Sequence, residues 1–118
     1  MDPRHNRIDY VELGAKNAGD YTRTKAFFET AFGWTYQDYG PAYCDTRSSG
    51  VGSGINGSLD DRTLQPLPVI FVEDLEAAQA KVVEAGGIVT RAIFTFPGGR
   101  RFHFADPSGN ELGVWSEK

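Results

Sequence analysis

The chain repeats itself, and that repetition constrains its fold more than any other feature. Residues 20–33 place Tyr21, Thr24, Phe27, Phe28, Ala31 and Phe32 at intervals of three and four, which predicts a helix with one apolar face. Asp20 can cap the free N–H groups of its first turn, and Gly33 can take a left-handed stop. Residues 74–87 have the same layout. Asp20 and Asp74, Ala26 and Ala80, Ala31 and Ala85, and Gly33 and Gly87 are all separated by one common interval, as an internal duplication would leave them.

The flanks repeat as well. One apolar run of strand composition precedes each helix, at residues 8–13 and 67–72. Three short runs follow each helix, at 34–39, 42–46 and 51–56 in the first half and at 88–94, 101–105 and 111–115 in the second. Gly40-Pro41 and the stretches 47–50, 97–99 and 106–110 separate them with residues suited to tight turns. The order is β-α-β-β-β, twice. A curled four-stranded sheet with one helix on its convex side leaves the concave side open, and a second copy can close it. The expected fold is therefore α+β: two tandem βαβββ modules, 7–57 and 67–116, whose mixed sheets enclose a ligand cavity about a pseudo-twofold. Residues 57–66 are polar and end in Pro66, as a linker would.

At 118 residues, with 40% hydrophobic side chains and 8 Phe, 5 Tyr and 2 Trp, the chain can fill the core of one domain. Twelve basic against 16 acidic residues give a net charge of -4, so no basic field exists to hold phosphates and nucleic acid is not an expected partner. No apolar run approaches the roughly 20 residues of a membrane span, residues 1–7 lack a signal-peptide core, and the lone Cys44 agrees with a reducing compartment. A cytoplasmic setting without membrane contact is expected. The glycine-rich stretch 49–57 lacks the Gly-Lys-Ser/Thr ending of a phosphate loop and does not run into a helix, so it predicts close approach of neighbouring backbone instead.

The element order, together with Phe27-Phe28-Glu29-Thr30-Ala31-Phe32-Gly33-Trp34, Val72-Glu73-Asp74-Leu75, Glu84-Ala85-Gly86-Gly87 and Phe104-Ala105-Asp106-Pro107-Ser108-Gly109-Asn110, resembles the vicinal oxygen chelate superfamily of glyoxalase I, bleomycin resistance proteins and extradiol dioxygenases. That superfamily hosts isomerases, dioxygenases, transferases and proteins that only bind drugs, so function must come from the site. Its metal-dependent members present four His, Gln or Glu ligands from the first and last strands of each module. The resemblance carries those positions onto Tyr10, Asn56, Leu67 and Gly113. Leu and Gly offer no side-chain donor, so the resemblance implies the metal-free branch, with no cofactor. A rebuilt site from Glu12, Glu111 and His103 is the alternative.

In that branch, aromatic side chains hold the ligand by stacking and cation–π contact. Trp34, Tyr36, Tyr39, Tyr43, Phe71, Phe102 and Trp115 are the candidates. The strand period of two adds Tyr10 with Glu12, and Glu111 with Gly113 and Trp115, to single faces. The expected ligand-binding set is Tyr10, Glu12, Tyr43, Asn56, Phe71, Phe102, Glu111, Gly113 and Trp115. The expected function is capture of a small aromatic or apolar molecule by a homodimeric protein. The alternative is a superfamily enzyme of glyoxalase, lyase or dioxygenase type, in which Tyr10, Glu12 or Glu111 would serve as acid or base.

Overall fold

Asn17, and not Asp20, starts the first helix. A computed structural model describes residues 2–118 of the chain. In it the Asn17 side-chain oxygen accepts a hydrogen bond from the Asp20 backbone N–H at 2.8 Å, and helix α1 runs Ala18–Phe32. Asp20 falls inside the first turn, where its charge suits the positive end of the helix dipole and pairs with Arg23. Gly33 ends the helix with φ 73°, as its missing Cβ allows. Helix α2, Leu75–Glu84, is capped by Asp74, whose carboxylate accepts from Ala77 N–H at 3.0 Å; the left-handed residue beyond it is Gly86, φ 100°, one place earlier than Gly87. Replacing Asn17 with Ala is expected to cost about 1 kcal/mol of stability. Asp20→Ala should cost less, and urea melts of the two variants check that order.

The strands follow the repeated order: β1 (Arg7–Gly14), β2 (Gln37–Asp38), β3 (Tyr43–Thr46) and β4 (Ser53–Asn56) with α1, then β5 (Leu67–Phe71), β6 (Ile88–Phe96), β7 (Gly99–Ala105) and β8 (Glu111–Ser116) with α2. The chain divides into two compact units, Tyr10–Leu67, and the residues up to Asp9 with Pro68–Lys118. In the first unit the strand order is β2-β3-β4-β1, with the β1–β4 pair parallel and the others antiparallel. In the second it is β6-β7-β8-β5, with β5–β8 parallel and the others antiparallel. The two units thus share one topology, and the class is α+β with mixed pairing.

Each helix covers one face of its own strands. Ala15, Tyr21, Cys44 and Ile55 form the buried cluster of the first unit, with Phe28 and Tyr36 packed on it. Val72, Leu75, Phe102 and Val114 form that of the second, with Ile70, Ala78, Val82, Ile93 and Phe104 around them. The helix periodicity overstated this burial. Phe28, Ala78 and Val82 are half-buried, whereas Phe27, Phe32 and Val83 are 58%, 66% and 55% exposed. Tyr21, Thr24 and Phe28 of α1 turn inward, and the remaining rings cover one another. Phe28 stacks on Trp34 at 4.4 Å and 8°, with Phe27 edge-on to Phe28 at 5.1 Å.

Candidate functional site

Alternation along β1 sends Leu13 toward Ile55 and Cys44 on the helix side, and sends Tyr10 and Glu12 to the opposite face. There the first unit builds a chain of hydrogen bonds. Tyr43 Oη donates to Glu12 Oε1 at 3.0 Å, and Tyr10 and Tyr43 hydroxyls lie 2.7 Å apart. A tyrosine has one proton to give, and Tyr43 gives its proton to the carboxylate, so Tyr10 donates to Tyr43. Asn56 Nδ2 donates to Glu12 Oε2 at 3.3 Å and to Asp61 Oδ1 at 3.1 Å, while its Oδ1 accepts from Ser58 N–H at 2.9 Å. Glu12 is 1% exposed and Asn56 2%. A carboxylate buried so deeply persists only with donors of this kind around it.

Gly54 makes this chain possible. A Cβ there would stand 2.1 Å from Tyr10 Oη and 2.6 Å from Tyr43 Oη. The glycine-rich strand therefore admits two side-chain hydroxyls beside the close backbone that its composition predicts, the Cys44 carbonyl lying 3.0 Å from the same Cβ position. Burial raises the pKa of both tyrosines well above 10, with the charge of Glu12 acting in the same direction, so both remain protonated across the physiological range.

The second unit places Val69, Gly113, His103 and Arg91 across one face and Phe71, Trp115, Arg101 and Phe94 beside them, by direct pairing. Glu111 joins this face, accepting from Thr90 Oγ1 at 2.8 Å with His103 Nδ1 at 3.8 Å. His103 is 2% exposed and meets the Phe94 ring edge-on at 5.8 Å. Trp115 Nε1 donates to Asp9 Oδ1 at 3.0 Å, and its ring meets Phe71 at 5.1 Å.

Of the residues expected to bind ligand, the structure brings Tyr10, Glu12, Tyr43 and Asn56 into one bonded group in the first unit. It places Phe71, Glu111, Gly113 and Trp115 on one face of the second. Phe102 is elsewhere: it pairs with Val114 and lies fully buried in the α2-side cluster, because strand alternation turns it opposite to His103. Trp34 stacks on Phe28, and Tyr36 Oη donates to the Lys25 carbonyl, so both serve the α1 side. Asp61, Ser58, Asp9 and Arg4 escaped sequence reasoning, since exposed-looking polar residues in a linker or an N-terminal arm carry no periodic signal.

The donor set at the four family metal positions does not fit a metal centre. Leu67 and Gly113 have no side-chain donor, the Tyr10 hydroxyl is held protonated against Tyr43, and both ends of the Asn56 amide are already bonded. Among the described residues, no three His, Cys, Asp or Glu side chains group closely enough to hold an ion.

Known proteins share this architecture. CFP32, a proposed glyoxylase of Mycobacterium tuberculosis, is 28% identical over 123 residues; the match covers 95% of this chain and 46% of that protein, so the chain spans about half the length of the curated relatives it matches. A glyoxalase/bleomycin resistance protein/dioxygenase superfamily member from Vibrio splendidus superposes with a TM-score of 0.62 at 14% identity, covering 91% of this chain and 95% of that one. A chain described as an NAD-dependent benzaldehyde dehydrogenase from Legionella pneumophila reaches 0.73 at 12% identity, covering 92% and 98%. At such identities the superpositions speak for the fold alone. The family model for the Glyoxalase/Bleomycin resistance protein/Dioxygenase superfamily matches residues 7–114, nearly the whole of the repeated βαβββ order, and the chain belongs to that superfamily.

Proposed function

We propose that this chain binds a small aromatic or apolar molecule, without a metal ion, on the strand faces turned away from its helices. The observation that carries this reading is the fixed polarity of the Glu12–Tyr43–Tyr10 chain. Because each hydroxyl donates inward, the Tyr10 oxygen keeps lone pairs for a donor outside the network, and its ring offers a stacking face. A ligand with an aromatic ring and one N–H or O–H group suits that end. The absence of side-chain donors at Leu67 and Gly113 supports a role without metal. Phe71, Glu111, Gly113 and Trp115 complete the proposed binding set, and a homodimer in the cytoplasm is part of the same proposal.

The test is a thermal-shift screen of small aromatic compounds followed by titration calorimetry. Tyr10→Ala is expected to weaken the best binder about tenfold, since about 1.4 kcal/mol is one decade in affinity. Unchanged affinity in a folded Tyr10→Ala protein would overturn the assignment.

One observation favours a second reading. Glu12 is a buried carboxylate linked through two hydroxyls to the same end, an arrangement able to move a proton in a metal-free isomerase or lyase. Turnover of a bound compound that disappears in Glu12→Gln, with binding retained, would select it.

A further inference from the structure

A guanidinium already sits on the aromatic face of the second unit, and it is the chain's own. Arg4 Cζ lies 3.9 Å from the centre of the Phe71 ring and 5.7 Å from that of Trp115. Phe71 and Trp115 meet at 62°, forming two walls of a corner, and Phe96 stands 6.2 Å beyond Trp115. The Asp9 carboxylate fixes the indole by accepting its N–H. At the rim, Asp2 and Glu117 take Arg4 Nη2 at 2.7 and 2.9 Å. Two aromatic walls with carboxylates at their edge are the elements that recognise a planar cation.

The arm that delivers Arg4 is held by other bonds. Asn6 N–H donates to the Phe71 carbonyl at 2.8 Å, and His5 Nδ1 accepts from Glu73 N–H at 3.1 Å. The Arg4 side chain can therefore leave the corner while the arm's backbone stays in place. It is 37% exposed, so the way out is open to water.

We propose that the Phe71–Trp115 corner is a seat for the planar cationic group of a ligand, a guanidinium or amidinium, and that Arg4 is a built-in occupant which such a ligand displaces. The proposal deepens the reading of the chain as a small-molecule binder by naming one chemical group of the ligand. It stands on a different unit from Tyr10.

The probe is methylguanidinium chloride, with urea as its neutral, planar counterpart. In a Trp34→Phe background, Trp115 is the sole indole, and its emission reports on the seat. With Arg4→Ala added, emission is expected to change saturably with millimolar methylguanidinium and to stay flat with urea. With Arg4 present, half-saturation should need at least about twofold more probe, because a tethered guanidinium at millimolar effective concentration competes evenly with a probe that binds in the millimolar range. Phe71→Leu should abolish the response. A flat Arg4→Ala titration, equal half-saturation with and without Arg4, or an equal response to urea would each overturn the proposal. Arg4→Gln repeats the test with a longer polar stem, and displacement of the Arg4 Nε–H signal by the probe in the unaltered protein reads the same event by NMR. Failure of the aromatic screen at Tyr10 leaves these outcomes untouched, so the two proposals fall separately.

Discussion

Gly54→Ala is expected to destabilise the protein by about 1–5 kcal/mol and to abolish binding at Tyr10. Elsewhere the exchange of Gly for Ala in extended backbone commonly helps, by about 0.4–1 kcal/mol, because the unfolded chain loses freedom. Here the new methyl would stand 2.1 Å from Tyr10 Oη, 2.6 Å from Tyr43 Oη and 3.0 Å from the Cys44 carbonyl. Overpacking of that kind costs about 1–3 kcal/mol, and parting Tyr43 from the buried Glu12 carboxylate adds about 1–3 kcal/mol for the lost donor. The steric and polar losses exceed the entropic gain. Chemical denaturation checks the sum. A change of less than about 0.5 kcal/mol, the range of an ordinary surface substitution, would mean that the tyrosines yield freely. On a Tyr10→Phe background the same substitution should cost less, since the nearest atom is gone; the non-additivity measures their contact.

What the sequence made legible was whatever repeats. The β-α-β-β-β order, the helices and the turns stood out because hydrophobic period and turn glycines are local. Gly40, Gly50, Gly99 and Gly109 all take positive φ at the expected turns, at 83°, 99°, 153° and 86°. The common interval between the two helices was less exact than it looked, since Asn17 caps one helix where Asp74 caps the other, and Gly86 stands for Gly33. A cap is chosen by which nearby side chain reaches the third N–H, and composition does not decide between Asn17 and Asp20. Strand parity placed Tyr10 with Glu12 correctly. It could not show that Tyr43, Asn56 and Asp61 would close the network from β3, β4 and the linker, because cross-strand register is set by pairing. Phe102 illustrates the limit from the other side. Nothing in Arg101-Phe102-His103 says which of two alternating faces meets the helix until β7 is laid against β8.

The buried tyrosines also set the limit of the protein in alkali. Burial and the Glu12 charge raise the pKa values of Tyr10 and Tyr43 in the folded state above the ordinary value near 10. A group whose folded pKa is raised contributes stability that is fully present below its unfolded pKa and is lost as pH rises through the window above it. Between pH 10 and their folded pKa values, each tyrosine retains a proton that the unfolded chain has released, so stability falls by about 1.4 kcal/mol per pH unit for each, or about 2.7 kcal/mol for the pair. Cys44, buried and raised by burial, acts in the same direction from about pH 9. Two pH units of such loss approach the whole stability of a typical domain, about 5–15 kcal/mol. Unfolding is therefore expected near pH 12, with near-ultraviolet tyrosinate absorbance rising together with the loss of circular dichroism. Tyr43→Phe lowers stability at neutral pH by removing the link to Glu12. Yet it should reduce the alkaline slope by about 1.4 kcal/mol per pH unit, because one titrating group is gone. The slope separates the two effects. A slope unchanged in Tyr43→Phe, or tyrosine absorbance that rises before the structure is lost, would show that these hydroxyls ionise freely in the folded protein.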